Sequence, residues 1–198
     1  METSAASHPS AIWGWMPWIL FFVLSKVGLP APGVFAGFLF ALYTPVTDTA
    51  RGRSVKLVDW TTLAFFAIAA ASVAAGGSTV LLFWKYCILL MWSMFAVMAW
   101  ASILLGAPFT LQFARESTPS EFWQHPDFIR GCLVLALVWA IVFTLNVAIV
   151  AAAVGPLSPP LFAVILPMAT TVGAFVFTAR FKTAAQRNRA AVTFPHSP

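Results

Sequence analysis

Gln112, Arg115, Glu116, Glu121, His125 and Asp127 are the side chains best equipped for chemistry, and all six fall in one polar stretch, GAPFTLQFARESTPSEFWQHPDF at residues 106–128. A carboxylate near an imidazole can move protons, and a guanidinium can hold an anion. Covalent catalysis needs more: a nucleophile with an adjacent base, and none is evident in the stretch. A metal site needs His, Cys and carboxylates at helical or short-loop spacing, and a haem between two histidines needs both inside apolar segments. His8, His125 and His196 lie instead in polar segments or tails. No catalytic residue, metal ligand or cofactor is therefore expected, and the chain reads as a non-enzyme. The task left for Gln112, Arg115, Glu116, Glu121 and Trp123 is a contact surface.

Two further polar residues stand inside apolar runs. Lys85 is flanked by Trp84 and Tyr86, a composition typical of a membrane–water interface where the rings sit at headgroup level and the ammonium reaches for water. The other reading of Lys85 is an ion-pathway residue. Asn146 fits a helix-to-helix hydrogen bond, or alternatively a substrate contact. None of the six acidic residues falls within a span, which disfavours a proton or cation relay but leaves a facilitator open.

The elements that must position these groups are set by composition. With 61% hydrophobic and 9% charged residues and a mean hydropathy of +0.89, the chain reads as an integral membrane protein. Its net charge of +5 does not indicate a nucleic-acid partner, because the eleven basic residues never form a patch interleaved with aromatics. The aromatic-rich start of the first apolar run lacks the form of a cleaved signal peptide. Cys87 and Cys132 fall near opposite ends of neighbouring spans, roughly 20 Å apart along the membrane normal, so no disulfide is expected.

The fold class expected is all-α, a polytopic bundle of about six spans over residues 12–181, between a tail at 1–11 and a basic, disordered tail at 182–198. The spans fall at about 12–28, 31–46, 60–75, 78–105, 128–154 and 160–179. LPAPG at 29–33 divides the first pair, either as two short crossings or as a re-entrant hairpin. Gly33, Gly37 and Ala41 at four-residue spacing allow another helix to approach closely. The chain leaves the membrane over 46–59, with Asp59 placed to cap a helix beginning at Trp60. Gly76 and Gly77 make the next turn. In the polar stretch, Thr118, Pro119 and Glu121 match a capping box for a short helix over about 119–124. Phe109 and Phe113 let the preceding piece lie on the leaflet with Arg115 toward lipid phosphates. Ser158 caps and Pro159 opens the last span, and Pro167 interrupts it.

Six spans place the 46–59 loop, the polar stretch and the tail on one side, with nine of the eleven Lys and Arg; Lys26 and Lys85 alone fall opposite. Both termini are then cytoplasmic.

Trp84 and Lys85, then Gly106, Pro108, Gln112 and Glu116, then Pro119 and Trp123, and finally Trp139, Ala140, Phe143 and Asn146 resemble the intracellular septation protein A family of bacterial inner-membrane proteins, or a sister family of polytopic membrane proteins. The resemblance covers residues 84–146. It implies a small multi-pass inner-membrane protein tied to envelope synthesis and division through partners, with no established catalytic residues. The reading reached is a non-enzymatic inner-membrane protein that contacts membrane lipids, or other inner-membrane or envelope proteins, at its cytoplasmic face. The alternative is a small-molecule or lipid facilitator using Lys85 and Asn146.

Overall fold

Hydrocarbon supplies no hydrogen-bond partner for backbone groups, so a chain this apolar is driven to satisfy them within helices. The computed structural model describes residues 12–153 and 162–193, and these hold seven α-helices and no strand. They are α1 (Ile12–Lys26), α2 (Pro30–Ala50), α3 (Leu57–Ala75), α4 (Gly77–Leu104), α5 (Thr110–Glu116), α6 (Pro126–Ala153) and α7 (Phe162–Thr193). Four of them, α3, α4, α6 and the Val164–Ala185 part of α7, are long and apolar enough to cross a membrane. Their outward side chains are apolar as well: Leu81, Val97, Leu104, Ile141, Met168 and Val172 are all exposed. A surface of that kind belongs in lipid. The protein is thus a helical integral membrane protein, as its composition indicates.

The chain divides into two compact units, Met1–Met94 and Phe95–Pro198, with the division inside α4. In the first unit, α1 ends in a glycine cap. Leu29 N donates to Leu24 O at 2.8 Å and Gly28 N to Ser25 O at 3.3 Å, while Gly28 takes φ +82. This pairing closes the last carbonyls of α1 and requires the left-handed backbone that glycine adopts without strain. Pro30 then starts α2 where no amide is needed. The small-residue row of α2 lies against both neighbours. Gly33 approaches Phe21 and Leu24 of α1, with a Cβ there only 3.1 Å from Leu24 Cβ, and Gly37 lies under the Phe66 ring of α3. Phe66 in turn packs on Trp18, Phe21 and Phe65, so the ring has no room to retreat.

Several boundaries differ from the sequence reading. The described part of α1, Ile12–Lys26, ends two residues before the expected Gly28. α2 runs through Pro45 to Ala50, and the polar loop narrows to residues 51–56. Its end is held by an ion pair between the Arg53 guanidinium and Asp48 Oδ1. Asp59 does not cap α3: the cap position is Lys56 without a side-chain bond, and Asp59 lies in the first turn, where its charge favours the positive end of the helix dipole.

In the second unit, α6 and α7 run antiparallel, as three contacts show: Asn146 with Thr170 and Thr171, Trp139 with Phe175 and Thr178, and Gly131 beneath Phe181. Pro167 does not end α7. Its side chain is fully buried, its carbonyl receives the Thr171 hydroxyl at 2.6 Å, and the helix continues. Residues 182–193, expected as disordered tail, extend α7 to Thr193. The tail at 1–11 and the Ser158–Pro159 cap lie outside the described residues.

Replacing Gly37 by Ala would drive a methyl into the trapped Phe66 ring, an overpacking of about 1–3 kcal/mol. Gly173, with nothing near its missing Cβ, is the control. Thermal unfolding in detergent should show Gly37→Ala melting earlier and Gly173→Ala unchanged or slightly later.

Candidate functional site

The polar stretch folds as an elbow built from both flanking helices. Its entry is a second glycine cap: Ala107 N donates to Ser102 O and Gly106 N to Ile103 O, both at 3.0 Å, with Gly106 at φ +70. Leucines precede this cap and a proline follows it, so α4 stops and the chain turns back. Ser102 Oγ, buried, accepts the Phe109 amide at 3.1 Å while donating to Ala99 O at 2.7 Å. That bond holds the turn onto the end of α4. Thr110 Oγ then donates to Cys132 O at 2.6 Å, which joins α5 to α6. Around it Leu111, Phe128 and Cys132 form a small buried cluster, against which Ala114 and Trp123 pack. The elbow is therefore folded structure with its own core.

The capping box of Thr118 and Glu121 does not form. Residues Ser120–Phe122 make one 3-10 turn whose cap position is Pro119, without a side-chain bond. Thr118 is used through its backbone instead: its carbonyl accepts the Trp123 indole N–H at 2.9 Å. This bond ties the turn shut and sets the indole plane. The Arg115 guanidinium lies 5.3 Å from the centre of that ring, a cation–π pair that links α5 to the turn. Arg115, Glu116 and Glu121 are exposed, Gln112 and Trp123 are half-buried, and Phe122 is 43% exposed. His125 Nδ1 accepts the Asp127 amide at 3.3 Å and lies 3.7 Å from the Asp127 carboxylate, an exposed local arrangement at the start of α6. Among the described residues no three His, Cys, Asp or Glu side chains are grouped as they would be around a metal ion.

Of the residues singled out in the sequence, Arg115 and Trp123 are brought together directly, and Gln112 and Glu116 share α5 with Arg115. Sequence reasoning missed Ser102, Thr110 and Cys132 O, because small hydroxyls beside apolar runs give no signal until the partner strand of chain is known. Lys85 is exposed, its Nζ 5.2 Å from the Tyr86 ring centre, while Trp84 stacks on Phe21. Lys85 is thus on the outer surface of its compact unit, not buried within it. Asn146 is 0% exposed, with Nδ2 donating to Thr171 Oγ1 at 3.3 Å and Oδ1 accepting from Thr170 Oγ1 at 2.6 Å. Its amide is committed to joining α6 and α7. Lys85 belongs to the first compact unit and Asn146 to the second.

Comparison with protein-family models, with curated proteins and with solved structures finds no match to this chain.

Two outcomes follow from the site's bonds. Thr110→Val removes the α5–α6 bond, worth about 1 kcal/mol, so trypsin should cut after Arg115 roughly five-fold faster. Thr183→Val, whose hydroxyl bonds only its own helix, should leave the rate alone. In thermal unfolding, Asn146→Leu should lower stability by about 0.6–2 kcal/mol, and Lys85→Ala by less than about 0.5 kcal/mol. The reverse ranking would return Lys85 to the interior.

Proposed function

We propose that this protein is a non-enzymatic, multi-pass protein of the bacterial inner membrane that acts by contact, through the elbow at residues 106–128, with lipids or with other inner-membrane or envelope proteins. The observation that carries the reading is the Arg115–Trp123 pair held at 5.3 Å on a hydrogen-bonded elbow, beside an exposed Phe122. A guanidinium held over an indole, with an exposed phenylalanine adjacent in sequence, presents two of the residue types from which contact surfaces draw most of their binding energy. Their rigidity matters, because a side chain already oriented loses little freedom on binding.

The topology proposed has about six spans, with α1 and α2 as a short first hairpin that either crosses twice or is re-entrant and in both cases returns the chain to its starting side. It puts both termini and the elbow on the cytoplasmic side together with nine of the eleven Lys and Arg. The likeness to the septation protein A family favours an envelope or division setting for the contact. A facilitator built on Lys85 and Asn146 is less favoured, since the Asn146 amide is already engaged by two threonines and Lys85 is exposed.

A photo-crosslinking residue in place of Phe122, activated in native membranes, tests the contact. Capture of one defined lipid or protein species is expected, reduced at least several-fold when Arg115→Ala and Glu116→Ala are combined. Capture of nothing, or of the same species at full yield in the double variant, sinks the reading. Trypsin should reach Arg115 in inverted vesicles and not in intact spheroplasts.

A further inference from the structure

The end of the α6–α7 hairpin carries a feature distinct from the elbow. From Phe128 onward the sequence has no Asp or Glu, yet it holds Arg130, Arg180, Lys182, Arg187 and Arg189. A disordered basic tail would spread these charges through solvent. The structure places them on helix instead, since α7 continues to Thr193.

The antiparallel register then decides where they stand. Phe181 lies over Gly131, its ring 3.6 Å from where a Cβ would be, so Arg130 on α6 is level with Arg180 and Lys182 on α7. All three side chains are exposed, and none is in an ion pair among the described residues. On the apolar side of this level, Phe177 stacks on Phe181 with ring centres 6.0 Å apart. On the other side, residues beyond about Gln186 run past the start of α6 by roughly 10 Å of helix. Arg187 and Arg189 lie in that extension, each seven residues after Arg180 and Lys182. The order along α7 is therefore apolar span, aromatic pair, first pair of cations, second pair of cations.

We propose that this basic end of the α6–α7 hairpin is a binding site for anionic phospholipid headgroups of the membrane leaflet from which α7 emerges. The inference rests on the reading of α7 as a membrane-crossing helix that leaves the bilayer on the elbow's side. Charge complementarity selects the occupant: the four cations of α7, Arg180, Lys182, Arg187 and Arg189, have no acid near them in sequence and, with Arg130 level with the first pair and one turn from Asp127, favour a phosphodiester surface, and the position at the end of a span brings that surface to them. An apolar partner would find charged groups with no counter-ion, and a zwitterionic headgroup would offset the attraction with its own cation.

The test uses the full chain reconstituted in phosphatidylcholine vesicles with and without phosphatidylglycerol, and spin-labelled forms of each lipid. The ratio of motionally restricted phosphatidylglycerol to phosphatidylcholine measures selectivity. The unchanged protein should prefer phosphatidylglycerol, and the preference should shrink at high salt. Combining Arg180→Gln, Lys182→Gln, Arg187→Gln and Arg189→Gln should lower the ratio by at least about five-fold, the amount expected for losing a single surface cation. The control variant Arg51→Gln, Arg53→Gln, Lys56→Gln, which removes three cations from the loop after α2, should retain most of it. An unchanged ratio in the quadruple variant overturns the proposal and assigns these charges to solvent or to a soluble acidic partner. The result is independent of the elbow: loss of selectivity with intact crosslinking at position 122, or the converse, separates the two sites.

Discussion

The constraint on which the structure depends is that a backbone amide or carbonyl in hydrocarbon must find its partner within the chain. Helices meet it along their length but leave the last carbonyls of each helix open. At the ends of α1 and α4 glycine closes them, with a bond from the third residue beyond the helix reaching back five positions. Side-chain hydroxyls meet the same constraint by folding onto their own helix, as Thr61 does on Leu57 O, Ser72 on Ile68 O, Ser93 on Leu89 O and Thr144 on Ala140 O. Polar atoms that would be expensive in lipid are thus absorbed locally, and the outward surface can be apolar.

Where a polar side chain cannot be absorbed within its own helix, it becomes a link between helices. Asn146 is held by Thr170 and Thr171, the Trp139 indole donates to Thr178 at 3.1 Å, and the Trp100 indole donates to Thr144 at 2.9 Å. Each is a modest contribution in a membrane, because the separated helices would find other partners for the same groups. Their larger effect is on register. Asn146 and Trp139 meet α7 at two levels, so a slide of one helix along the other would break both sets of bonds together. A lone polar residue in a span invites a transport role, and in this protein both ends of the Asn146 amide bond to threonines of α7.

The membrane class and the positions of α3, α4 and α6 were legible in the sequence, because hydropathy and length report directly on burial in lipid. The polar stretch was legible as an elbow for the same reason. Its internal bonds were not: Thr118 with Glu121 has the form of a capping box, but Pro119 leads into a single 3-10 turn and the Trp123 indole takes the Thr118 carbonyl. A local motif lost to a contact that only the folded chain creates. The helical continuation to Thr193 was hidden differently, since charged residues after an apolar span read as tail, although Ala, Gln and Arg are good helix formers once a span has nucleated the helix. Asp59 misled because a carboxylate helps the first turn of a helix as well as its cap.

The elbow and the hairpin end are positioned by one set of contacts. Thr110 fixes α5 to the first part of α6 through Cys132 O, and Gly131, the adjacent residue, receives Phe181 from α7. One turn of α6 therefore carries the elbow on one side and the basic end of α7 on another. Gly131 is small enough to let the phenyl ring settle close, and Cys132 is small enough to be buried beneath α5. Larger residues at either place would push one element off the helix and change the spacing of Arg115, Arg130 and Arg180 at once. The two small residues at the head of α6 thus hold the elbow and the basic end of the hairpin in a common frame.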